Sequence, residues 1–142
     1  QAVAFSPDGQ RIVSGSRDLT ARVWGLGTPG NELNLRCKGI LFACAFSPDG
    51  RWIATSGDDD TRLWDARTGK EIRQFRGQKN SVLGVAFSPD GKLLATCGSE
   101  LSAYLWDVET GNVVRRLEGH TQKICSIRFS PDGSTIVTGG LD

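Results

Sequence analysis

Residues 87–107 read FSPDGKLLATCGSELSAYLWD, and this stretch decides the architecture. Pro89 presets φ for the second position of a tight turn, Asp90 hydrogen-bonds to nearby backbone, and Gly91 tolerates the left-handed geometry that joins one strand to the next. Beyond the turn, Leu93, Leu94 and Ala95 lead to Thr96, and Tyr104, Leu105 and Trp106 lead to Asp107. Their period is near two rather than about 3.6, which predicts strands.

The stretch recurs. Phe-Ser-Pro-Asp-Gly begins at Phe5, Phe46, Phe87 and Phe129, at spacings of 41, 41 and 42 residues. Trp24, Trp64 and Trp106 follow the first three copies by 19, 18 and 19 residues, and the fourth copy stops before a tryptophan. A second turn, D-A-R-T-G from Asp65 and D-V-E-T-G from Asp107, separates the tryptophan strand from a short apolar strand, Glu71 to Phe75 or Asn112 to Leu117. Each period therefore predicts four short strands, a to d, and three and a half periods predict 14.

Four strands in about 40 to 45 residues, closing on Trp-Asp, resemble a blade of the WD-repeat β-propeller family. The likeness rests on Trp64-Asp65, Trp106-Asp107, the Thr-Gly turns and Gly119-His120, and it covers the whole chain. It implies an all-β fold: a WD-repeat β-propeller segment of four-stranded antiparallel blades over 1–142, with repeats at about 1–35, 36–76, 77–118 and an incomplete 119–142.

The resemblance also implies a hydrogen-bonded set in each blade: a His, a Ser or Thr on strand b, an Asp in the b–c turn and the Trp of strand c. Matched by position, the first repeat supplies Ser14, Asp18 and Trp24, and the second Cys37, Thr55, Asp59 and Trp64. The third supplies Gln78, Thr96, Glu100 and Trp106, and the fourth His120, Thr138 and Asp142. No set is complete, and a half-satisfied polar network is costly. The blades are therefore expected to lean on apolar packing by the four repeat phenylalanines with Leu41, Val82, Ile124, Ile12, Ile53, Leu94 and Ile136.

Other chemistry finds little support. The formal charge is +1, with 17 Lys+Arg against 16 Asp+Glu, so the field of a nucleic-acid or membrane-surface binder is missing. No run approaches the roughly 18 apolar residues of a membrane-spanning helix, and the chain is expected to be soluble and intracellular, in the cytoplasm. The four cysteines, at 37, 44, 97 and 125, match no metal or redox spacing and read as reduced, buried residues. Asp58-Asp59-Asp60 lacks the spacing of a calcium loop and reads as a solvated turn. The glycines follow the turn rhythm rather than a phosphate-binding motif, His120 reads as a structural tie, and Arg67, Arg73, Arg76, Arg115 and Arg116 read as solvated. No cofactor and no metal are implied.

Surface recognition remains. In the family, partner contacts gather on the top face, at the start of strand a and just before the b–c turn Asp. By position these are Arg17 in the first repeat, and Ile40, Phe42 and Asp58 in the second. The third contributes Ser81, Leu83 and Ser99, and the fourth Lys123, Cys125 and Leu141. Phe42, extended by Ile40 and Leu83, makes the sharpest candidate patch. The sequence thus reads as a non-catalytic protein-interaction scaffold, part of a larger seven-bladed propeller whose further blades come from its own polypeptide or from a second copy. Two alternatives stay open: a structural subunit of a large assembly, and the sensor region of a signalling enzyme whose catalytic domain lies elsewhere.

Overall fold

A computed structural model describes residues 2–27, 29–58 and 60–142. Its strands run in the order the repeats imply. Blade 1 comprises β1 (Ala2–Phe5), β2 (Arg11–Gly15), β3 (Thr20–Gly25) and β4 (Leu33–Arg36). Blade 2 comprises β5 (Leu41–Phe46), β6 (Trp52–Gly57), β7 (Thr61–Asp65) and β8 (Glu71–Phe75). Blade 3 comprises β9 (Val82–Phe87), β10 (Leu93–Gly98), β11 (Ser102–Asp107) and β12 (Val113–Glu118), and β13 (Ile124–Phe129) with β14 (Ile136–Gly140) forms a two-stranded fourth unit. Every pairing is antiparallel between consecutive strands, so a–b and c–d turns share a lower rim and b–c turns share an upper rim with the connections between blades.

The lower turns close by the expected means. Asp90 Oδ1 accepts the Ser88 hydroxyl at 2.6 Å and the Lys92 N–H at 3.0 Å, and Gly91 takes φ of +73°. That geometry is open to glycine and strained for other residues, which explains the glycine in every copy.

Blades pack side against side. Val13, Ala21, Val23 and Leu35 of blade 1 meet Leu41, Cys44, Ile53 and Trp64 of blade 2, while Ala54, Leu63 and Phe75 of blade 2 meet Val85, Leu94, Tyr104 and Trp106 of blade 3. Trp106 lies edge-on to Phe75 at 5.8 Å and stacks on Tyr104 at 5.7 Å. Truncating so enclosed an indole typically costs about 3 to 5 kcal/mol. Small residues at one point of strand b, Val13, Ala54 and Ala95, let the neighbouring blade approach.

The phenylalanines correct the packing expectation. Phe46, Phe87 and Phe129 are only half-buried and Phe5 is exposed. They stand at the end of strand a beside the lower turn; Phe5, Phe46 and Phe87 line a groove between the inner strands, while Phe46, Phe87 and Phe129 also pack against the blade cores, so the expectation holds for three of the four in part and fails for Phe5. Ile12 and Ile136 are half-buried, whereas Leu41, Val82, Ile124, Ile53 and Leu94 are buried.

Two flanks differ from the interior junctions. Val3 is 68% exposed, although Cys44, Val85 and Ile127, at the same repeat position, are buried. Val137 is 65% exposed, although Val13, Ala54 and Ala95 are fully enclosed. No helix long and apolar enough to cross a membrane occurs among the described residues.

Candidate functional site

The upper rim is built by one contact repeated three times. Asp58 N–H donates to the Ile40 carbonyl at 3.0 Å, Ser99 N–H to Ser81 at 2.9 Å, and Leu141 N–H to Lys123 at 3.2 Å. Each bond ties the residue before the b–c turn Asp to the connection entering strand a. The approach requires glycine, because a Cβ at Gly57 or Gly98 would overlap the carbonyl oxygen of Ile40 or Ser81. The residues matched by position therefore come together as pairs along one edge. Between the first and second pair, the Ser81 hydroxyl donates to Asp58 Oδ1 at 2.9 Å and joins blade 3 to blade 2.

The rest divides. Arg17, Asp58, Ser99, Lys123 and Leu141 are exposed on the rim, and Ile40 and Ser81 are half-buried. Phe42, Leu83 and Cys125 line the inner-strand groove, a cavity of about 550 Å³. Ile40 is not part of its lining, so the expected continuous patch is split: Phe42 and Leu83 share the groove, while Ile40 lies in the connection it anchors. Cys125 is exposed and Cys37 half-buried, which corrects the reading of the four cysteines as buried; Cys44 and Cys97 fit it.

Polar ties run inward from the rim. Trp24 Nε1 donates to Ser14 Oγ at 2.9 Å, Trp64 Nε1 to Thr55 Oγ1 at 2.9 Å, and Trp106 Nε1 to Thr96 Oγ1 at 2.8 Å. Thr96 Oγ1 donates onward to Gln78 Oε1 at 2.9 Å, and the Cys37 thiol lies 3.9 Å from Thr55 Oγ1. Asp18 accepts the Thr20 hydroxyl at 2.6 Å, within its own turn. Glu100 takes Lys79 N–H at 2.6 Å and the Tyr104 hydroxyl at 2.6 Å. Asp59 lies outside the described residues. The sets are thus shortened but still bonded, since a hydroxyl both accepts and donates and so passes the chain on. Gln78 Nε2 is left buried without a partner.

In the fourth unit His120 contacts Thr138 Oγ1 at 2.8 Å and Asp142 Oδ1 at 2.6 Å. A hydroxyl, an imidazole and a carboxylate in series resemble an acyl-transfer triad, but Thr138 stands where Thr55 and Thr96 receive a tryptophan N–H. Bonds from Thr121 N–H, then from His120, hold the Asp142 carboxyl at about 2. Burial pushes the Cys44 thiol up to about 11 and Cys97 to about 12, so neither supplies a thiolate near neutrality.

Arginine did more than the sequence reading allowed. Arg73 is not merely solvated, because its guanidinium clamps the Glu109 and Thr110 carbonyls of blade 3. Arg11 does the same one junction earlier, reaching Ala66 O at 2.6 Å and Gly50 O at 3.1 Å over the Phe46 ring. Aligning the repeats would not have exposed this, since Trp52 stands at the Arg11 position in the next copy and the gripped carbonyls belong to the neighbouring blade.

Comparison with known proteins agrees with this geometry. The family model described as WD domain, G-beta repeat matches residues 1–25, 32–65, 69–107 and 111–142. Similar relatives include small ribosomal subunit protein RACK1y of Oryza sativa subsp. japonica, 33% identical over 85 residues, which are 54% of this chain and 25% of the relative. The guanine nucleotide-binding protein G(I)/G(S)/G(T) subunit beta-1 of Homarus americanus is 31% identical over 87 residues, 56% of this chain and 25% of its own. THO complex subunit 3 of Arabidopsis thaliana is 36% identical over 80 residues, 51% of this chain and 25% of its own. Each match spans about a quarter of the relative's length.

Proposed function

The chain belongs to the WD-repeat family, and from that premise we propose that it is a non-catalytic protein-interaction scaffold inside the cell, one segment of a seven-bladed propeller. The observation that carries the reading is the rim: three paired turns hold Asp58, Ser99, Lys123 and Leu141 outward from a rigid frame, and Arg17 is exposed on the same rim. Rigid scaffolds presenting exposed turn residues suit recognition of another protein. Relatives named as ribosomal, G-protein and THO-complex subunits support the same assignment.

Further blades are part of this proposal. The exposed Val3 and Val137 occupy positions that interior junctions bury, which favours further blades, from the same polypeptide or from a second copy, covering both flanks. Whether recognition extends from the rim into the inner-strand groove is tested by Phe42→Ala in the full-length protein. Partner affinity should fall at least about tenfold, with melting shifted by less than about 2 °C. Equal loss of binding and melting temperature would defeat the reading.

A second reading is a permanent structural subunit, in which partner subunits rather than further blades cover those flanks. Obligate interfaces are large and apolar. Co-purification at fixed stoichiometry through high salt would select it over transient recognition.

A further inference from the structure

We draw no further inference here: the strongest candidate, the apolar inner-strand groove of about 550 Å³ whose lining carries Arg128 as its one charged side chain, belongs to the recognition surface already proposed, and nothing in the structure shows what covers it.

Discussion

The Ser81 hydroxyl donates to Asp58 Oδ1 at 2.9 Å while the Ser81 carbonyl accepts Ser99 N–H at 2.9 Å, so one residue fastens blade 3 to blade 2 and its own b–c turn to its connection. This double use depends on Gly98, where any Cβ would overlap the Ser81 oxygen.

Gly98→Ala should therefore cost about 3 kcal/mol, because backbone rather than a movable side chain must give way. Gly27→Ala, where nothing lies within 4 Å, should change stability by less than about 0.5 kcal/mol. Urea denaturation of the two variants measures the contrast, and equal effects would remove the close approach as an explanation.

The polar ties make a prediction in each direction. Thr96→Val strips the acceptor from Trp106 Nε1 and should destabilise by about 2 to 3 kcal/mol. Gln78→His should stabilise by about 1 kcal/mol, by removing the orphaned Gln78 Nε2 and placing an imidazole beside Thr96 as His120 stands beside Thr138. Denaturation midpoints of the variants decide both.

Acid should loosen the turns in a narrow window. The Ser130 hydroxyl and then Ser134 N–H hold the Asp132 carboxyl at about 2, and Thr121 N–H holds Asp142 at about 2, against an ordinary 3.8. Their folded-state values are depressed, so their stabilisation is complete above the unfolded value and disappears as pH falls from about 4 to about 2. Urea midpoints should drop across that window and less steeply in Asp132→Asn. An identical slope in the variant would contradict the assignment.

Thiol labelling should proceed in order of exposure. At about pH 8, Cys125 should react first and Cys37, half-buried with its thiol pushed up by burial, more slowly. Cys44 and Cys97 should react only when the chain unfolds. Mass spectrometry of partly labelled protein reads the order, and Cys125→Ser should abolish the fast phase.

The repeat made strands, turns and tryptophan positions legible, because each depends on residues close in sequence. Gly91 and Pro89 define a turn wherever they occur, and Trp106 marks strand c by its distance from Phe87. Interblade contacts were not legible in that way. Phe46 and Leu94 are equally apolar in sequence, yet Leu94 is fully enclosed at a blade junction while Phe46 is half-buried between a junction and the groove. Arg73 looks solvated until blade 3 supplies the carbonyls it grips. Position along the rim could be matched from the sequence, but the direction of Phe42 toward the groove depends on three neighbouring inner strands.

The most direct measurement is quantitative affinity purification of the full-length protein against its Arg17→Glu, Lys123→Glu variant, with melting temperatures taken in parallel. Both side chains are exposed on the rim, so the fold should melt within about 2 °C of wild type while recovery of its bound proteins falls at least about tenfold. Undiminished recovery by the variant would contradict recognition through this rim.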